Sequence, residues 1–268
     1  MLDKLLRWFK KRRYKNRARL VFAAIFSKWR DLDATMVSMS KAYEFLYTTP
    51  PDVVLRGWGN PYDVLAGLLP QHGSLDDETL WLADKKNHPQ SSEEDVVRLL
   101  YNITRHTKSK TIIEVGVFHG AASLSMAQGI DENGGGGIHL IDISKEFLQD
   151  VFEKISKKNW KVTVHQHHIK INKETEFDKL VQTGVTGLPQ ADILFIDGGH
   201  SYAEVKNDIK QYQPLVSSGG LLILHDTIKQ DGPRRLAAEM FEKGLKFCSL
   251  TTSDGSGVTI FRNSPEAP

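Results

Sequence analysis

Cysteine is all but missing: Cys248 is the only one in 268 residues. A single thiol excludes an intrachain disulfide and any zinc site built on cysteines, and it fits a reducing compartment. Long apolar runs are missing too. The longest, Leu20–Phe26, has seven residues, against the ~20 that a helix needs to span a bilayer. No apolar core of signal-peptide length follows the basic start, so the expected location is the cytoplasm. Internal repeats and low-complexity tracts are absent. So are the G-x-G-x-x-G dinucleotide turn and the G-x-x-x-x-G-K-[ST] phosphate loop.

What is present begins with an uneven distribution of charge. The net charge is only +2, yet residues 1–30 hold eleven lysines and arginines against Asp3 alone, a local +10. The remainder is therefore acidic, at −8 overall. Contact with an anionic membrane or with nucleic acid is an argument about this arm alone. Leu2, Leu5, Leu6 and Phe9, then Val21, Phe22, Ile25, Phe26 and Trp29, recur at three-to-four spacing. Residues 1–48 thus read mostly as amphipathic helix, either packed on the body with its charges solvated or lying weakly on an anionic partner. Pro50–Pro51 ends that region. Residues 52–90 read as irregular structure and short helices that cover a substrate pocket. The first 90 residues are accordingly one region, a basic helical extension and cover, and residues 91–268 are the second.

Ser91-Ser92-Glu93-Glu94 places capping residues before acids and predicts a helix start, continuing over Glu93–Thr107. Strand and helix signals then alternate. Strands are expected at Thr111–Val115, Gly137–Ile141, Val162–His165, Ile193–Ile196, Gly220–Leu224, Phe247–Leu250 and Val258–Arg262. Helices are expected at Ala121–Gln128, Lys145–Ile155, Lys173–Val181, Tyr202–Tyr212 and Pro233–Lys243. Seven short apolar strands of this kind predict an α/β fold: a doubly wound, mostly parallel seven-stranded sheet with helices on both faces.

Two groups of residues carry chemistry. In Thr111-Ile-Ile-Glu-Val-Gly-Val-Phe-His-Gly-Ala-Ala-Ser123, Gly116 and Gly120 lie at a strand-to-helix turn, where glycine allows positive φ and close approach of a ligand to the backbone. A glycine pair at this spacing also occurs in tight turns that bind nothing. The next strand, however, ends in Asp142, placed to accept hydrogen bonds from both hydroxyls of a ribose. Farther on, Ala191-Asp-Ile-Leu-Phe-Ile-Asp-Gly-Gly-His200 and Gly219-Gly-Leu-Leu-Ile-Leu-His-Asp-Thr227 put Asp197, His200, His225 and Asp226 after the fourth and fifth strands. Carboxyl ends of parallel strands are where ligands bind in open sheets. His165, His167 and His168 cluster near a strand end, with no acid at ligand spacing; they read as partly solvated strand residues.

The first group resembles the cofactor turn of class I S-adenosylmethionine (SAM)-dependent methyltransferases, and residues 91–262 together resemble their macrolide-sugar and aminocoumarin O-methyltransferase and cephalosporin-hydroxylase-like subfamily. The resemblance implies a Rossmann-like fold and SAM as cofactor. It implies SAM contacts at Glu114, Gly116, Phe118, Gly120, Ser123, Asp142, Ile143, His168 and Asp197, with Ile143 and His168 at the adenine. It also implies methylation of a hydroxyl on a small molecule or glycan, with His200 as general base and Asp197 and His225 beside it. A divalent cation, Mg²⁺ in the relatives, would sit on Asp197 and Asp226. His225 stands where those relatives carry an acid, which turns the donor set away from the all-oxygen preference of Mg²⁺ and towards another divalent metal or none. Two alternatives stay open: a nucleic-acid methyltransferase that uses the basic arm, and a non-catalytic, membrane-associated SAM-binding scaffold. Association into a homo-oligomer is also left open.

Overall fold

The computed structural model describes residues 74–169, 185, 187–242, 247–250 and 252–263. The basic arm, the helix expected over residues 1–48, most of the expected cover and the helix expected at Lys173–Val181 lie outside the described residues.

The described elements are, in chain order, α1 (Asp77–Ala83), α2 (Glu94–His106), β1 (Thr111–Val115), α3 (Ala121–Glu132), β2 (Gly136–Asp142), α4 (Lys145–Ser156), β3 (Val162–His168), β4 (Ala191–Ile196), α5 (Tyr202–Tyr212), β5 (Val216–His225), α6 (Asp231–Glu242), β6 (Phe247–Leu250) and β7 (Val258–Arg262). The seven strands form one sheet in the order β3-β2-β1-β4-β5-β7-β6. Strands β1 to β5 run parallel, and β7 is antiparallel to both β5 and β6. Chain order reverses direction between β1 and β4, so their carboxyl ends open a crevice there. None of the described helices is long and apolar enough to cross a membrane.

Strand alternation explains why both faces are covered. Ile112, Ile138, Leu140, Ile193, Phe195 and Ile223 join one buried cluster with residues of α1 to α4. Ile113, Val115, Ile141, Leu194, Ile196 and Leu224 join the other, with Val205 and Ile209 of α5 and Leu236 and Met240 of α6. Each such side chain, fully buried, contributes roughly 1.5–3 kcal/mol. Leu75, Leu82 and Ala83, upstream of residue 91, belong to the first of these clusters.

Bounds of β2, β4, α3, α4 and α6 differ from the sequence reading by one to four residues at an end, and three further differences have a physical reason. Strand β3 runs on through Gln166, His167 and His168, because its backbone pairs with β2 in register as far as Asp142↔His168; at an edge, backbone pairing outlasts apolar alternation. Strand β5 begins at Val216 instead of Gly220, because Val216 already pairs with Ala191 of β4. Helix α2 starts at Glu94, and its cap residue Glu93 makes no side-chain capping bond. Ser92 and Glu93, which looked like cap chemistry, are used elsewhere.

On the second face, His139 of β2 stacks on His165 of β3 at 4.3 Å, and its Nδ1 lies 3.1 Å from Nε2 of His167. Burial, then the two neighbouring imidazoles, lowers the pKa of His139 to about 4. In an unfolded chain it would titrate near 6.5. Between about pH 6.5 and 4 the unfolded state therefore binds the proton first, and the stability held above pH 6.5 is lost as pH falls through that window. His139→Leu should show a smaller drop in thermal midpoint between about pH 7.5 and about pH 5 than the unmodified protein. An equal drop would show that the stacked histidines do not couple folding to pH.

Candidate functional site

The site begins with a backbone contact. Gly116, just past β1, has φ +85°, and a Cβ there would lie 2.4 Å from the carbonyl oxygen of Asp197, just past β4. The two turns touch main chain to main chain, which only glycine permits. Phe118 at φ 46° and Asp226 at φ 59° are non-glycine residues in the same left-handed region, a conformation that costs of order 1–3 kcal/mol and concentrates at functional sites. Asp142 fastens the neighbouring turn: its Oδ2 accepts from Val117 N–H and its Oδ1 from Ser144 N–H, both at 2.8 Å. Each carboxylate oxygen retains a second lone pair for a ligand.

Two cavities meet at this contact. The first, about 280 Å³, is lined by Phe118, Ile141, Asp142, Ile143, Phe147, Ile169, Asp197 and Asp208, among others. Ile143, 60% exposed, offers it an apolar edge. The second, about 480 Å³, has mainly hydrogen-bonding walls: Lys85, Gln90, Ser91, Ser92, His200, His225, Asp226, Lys229, Gln230 and Asp254. Gly116, Phe118, Asp197 and Gly198 border both. Glu114 faces the second cavity with its side chain fully buried and neither oxygen hydrogen-bonded. Burial, with the charges of Asp197 and Asp142 added, outweighs the nearby Ser123 hydroxyl and pushes its pKa well above the usual carboxylate range. An orphaned acid of this kind marks a place for a cationic or hydrogen-bond-donating ligand.

Four side chains expected from the sequence converge at the second cavity. His225, 5% exposed, is held between two carboxylates: Nδ1 is 2.8 Å from Oδ1 of Asp197, and Nε2 is 3.0 Å from Oε2 of Glu93. Burial alone would lower the His225 pKa, but Asp197 and Glu93 outweigh it and raise it well above the ordinary value. His200 Nε2 lies 2.8 Å from Oδ2 of Asp226, and that bond raises the His200 pKa against partial burial. Burial opposes ionisation of Asp226, but its bond to His200 and the charge of His225 hold its carboxyl below the usual range. Oxygens of Asp197 and Asp226 and a ring nitrogen of His225 all lie within 4.8 Å of one another, which makes these three the residues able to hold a metal among the described ones.

The remaining expected residues fall around this centre with differing closeness. Gly120, at φ +88°, packs against Val151 at the start of α3, and the hydroxyl of Ser123 is buried without a partner; neither borders either of these two cavities. His168 ends β3 with Nε2 3.1 Å from the Ile143 carbonyl oxygen, and Ile169 beside it lines the first cavity instead. The sequence reading missed Glu93 and Ser92, whose hydroxyl donates to Oδ2 of Asp197 at 2.9 Å. It also missed Thr252, which donates to Oε1 of Glu93 at 2.7 Å. Lys85, 3.7 Å from both Glu93 and Asp254, was missed as well. The only signal for Ser92 and Glu93 was their place in a helix-start motif, and nothing marked Thr252 or Lys85.

Comparison with known proteins bears on the domain and its fold. Residues 113–227 match the model of a family described as a methyltransferase domain. An uncharacterized protein of Acanthamoeba polyphaga mimivirus is 31% identical over 118 residues, 43% of this chain and 51% of that protein; the chain thus spans about half the length of the curated relative it matches. Among solved structures, the O-methyltransferase TomG from Streptomyces achromogenes, involved in tomaymycin synthesis and complexed with SAM, superposes with a TM-score of 0.53 at 16% identity, over 70% of this chain and 91% of that one. An O-methyltransferase from Bacillus cereus in complex with SAH gives 0.52 at 14% identity, over 75% and 95%. At such identities the likeness establishes the fold, a Rossmann-like methyltransferase fold, and the sheet order agrees with the doubly wound reading.

Gly116→Ala should cost more stability than Gly219→Ala. Both positions have positive φ, but a Cβ at Gly219 meets nothing within 4 Å. Denaturant midpoints should show about 1–2 kcal/mol for the left-handed backbone alone at Gly219 and a clearly larger loss at Gly116. Equal losses would mean that the β1 and β4 turns do not press on each other.

Proposed function

We propose that this chain, a class I methyltransferase in its domain over residues 113–227 and in its fold, transfers the methyl group of SAM to a hydroxyl of a polar small molecule or glycan. The observation that carries this reading is the His200–Asp226 pair, 2.8 Å apart, on the wall of the polar cavity that shares Gly116, Phe118, Asp197 and Gly198 with a smaller, more apolar one.

The residues present fit SAM. Asp142 is placed for the ribose hydroxyls and Ile143 and Phe147 for the apolar faces of adenine, while the unpartnered carboxylate of Glu114 suits the ammonium of the methionine portion. SAM supplies a methyl on a sulfonium, a good leaving group. The protein's task is then alignment and removal of one proton. Alignment of two held reactants contributes roughly 7–11 kcal/mol. His200 accepts the hydroxyl proton at Nδ1, the ring nitrogen that does not face Asp226, and Asp226 fixes the ring and stabilises the imidazolium formed. The side chains of Lys85, Gln90, Ser92, Lys229 and Asp254 offer donors and acceptors to an acceptor with several hydroxyls and little apolar surface to a flat phenol. Asp197, His225 and Asp226 are the residues that would hold a divalent cation, which would supply charge to orient the acceptor oxygen and lower its pKa.

With labelled SAM, sugars and other polyhydroxylated acceptors should take up methyl in preference to simple phenols. His200→Ala should reduce transfer by about 10²–10⁴-fold while calorimetry shows SAM binding unchanged. Undiminished transfer in that variant would remove His200 as the base.

A further inference from the structure

Glu93 has no part in the chemistry described so far, yet it is 1% exposed. An unpaired carboxylate in that position costs several kcal/mol. It does not repay this as a helix cap, because it makes no capping bond to α2. Both oxygens point the other way: Oε1 accepts from Thr252 and Oε2 faces Nε2 of His225 at 3.0 Å. The hydroxyl of Thr252 is itself tied to the β6–β7 connection, accepting from Gly257 N–H at 3.0 Å. Glu93 is thus immobilised, and it commits Nε2–H of His225 as a donor.

The consequence lies at the other ring nitrogen. With Nε2 engaged by Glu93, Nδ1 is the nitrogen an ion can take: in its absence Nδ1 donates to Asp197 at 2.8 Å, and Asp226 lies 3.9 Å away. Atoms sharing one first-row dication at bonds of about 2.0–2.2 Å lie roughly 3–4 Å apart; the 3.9 Å separation from Asp226 already suits a shared ion, and the 2.8 Å hydrogen bond to Asp197 opens when the ion replaces the Nδ1 proton. A histidine that ligates a metal through one nitrogen regularly gives its other N–H to a carboxylate, which fixes tautomer and ring orientation. Mg²⁺ favours an octahedron of oxygens, whereas Mn²⁺, Co²⁺ and Zn²⁺ accept imidazole.

We propose that Glu93 is a positioning residue that commits Nδ1 of His225 to a ligand set with Asp197 and Asp226, so that the site selects an imidazole-accepting dication over Mg²⁺. The inference rests on the cation site named above; it does not require that methyl transfer depend on the ion.

The test is calorimetry of the full-length protein with Mn²⁺ and with Mg²⁺, together with pulsed electron paramagnetic resonance of bound Mn²⁺. The wild type should bind Mn²⁺ at least about tenfold more tightly than Mg²⁺ and show a nitrogen coupling from the imidazole. Glu93→Gln should weaken Mn²⁺ by roughly 10–100-fold and leave Mg²⁺ nearly unchanged. His225→Asp should abolish the nitrogen coupling and bring the two affinities together. Because His225→Asp faces Glu93 and can fail to fold, Glu93→Gln/His225→Asp serves as the second variant, with circular dichroism as the folding control. Equal wild-type affinities without nitrogen coupling, or an unaltered Mn²⁺ affinity in Glu93→Gln, would overturn the proposal. Failure of the wild type to bind either ion while it still methylates an acceptor would overturn this inference and leave the His200 reading standing.

Discussion

The arrangement depends on one buried imidazole held between two carboxylates. His225 ends β5, Asp197 follows β4, and Glu93 precedes α2, 132 residues away from His225 in sequence. None of the three would be stable alone in this interior. Removing one partner of a buried ionic pair costs about 3–5 kcal/mol, because the other is left uncompensated. The three are therefore a set, and through Thr252 and Ser92 the set also fixes the β6–β7 connection and the approach to α2. What looks like a charged active site is also the fastening that brings four chain segments to one point.

That fastening determines where the two cavities lie. Asp197 belongs to both, by its side chain in the His225 network and by its carbonyl oxygen against Gly116. Gly116, Phe118, Asp197 and Gly198 line both cavities, so this junction is where ligands in the two would approach each other. His200 and Asp226 stand beside it on two different turns. The same physical feature, close approach of the β1 and β4 turns at the reversal of strand order, builds the crevice and brings His200 to its wall.

Much of this was legible in the sequence. All seven strands were, because parallel strands buried on both faces read as short apolar runs, and α5 matched to the residue because Ser201 and Glu204 form a capping box. The Gly116 turn, Asp142 and the Asp197–His200 and His225–Asp226 segments were visible as polar punctuation after strands. Glu93 was not, because Ser-Ser-Glu-Glu before an apolar run is equally good cap chemistry, and only the fold shows that Ser92 and Glu93 turn away from the helix. Lys85 and Thr252 lie in connections without periodicity, so no local signal could tie them to a residue 100 or more positions away. The ends of β3 and β5 were hidden for a related reason: backbone pairing with a neighbouring strand leaves no mark on histidine, serine or glycine side chains.

The central claim is that methyl donor and acceptor meet across the Gly116–Asp197 junction with His200 on the acceptor side. A crystal structure of the protein with SAH tests it most directly. Adenosine should lie in the cavity of Ile143 and Asp142, with the amino group of the ligand at Glu114 and the sulfur turned through the junction towards the cavity of His200. Adenosine bound elsewhere, or a sulfur facing away from that cavity, would contradict it.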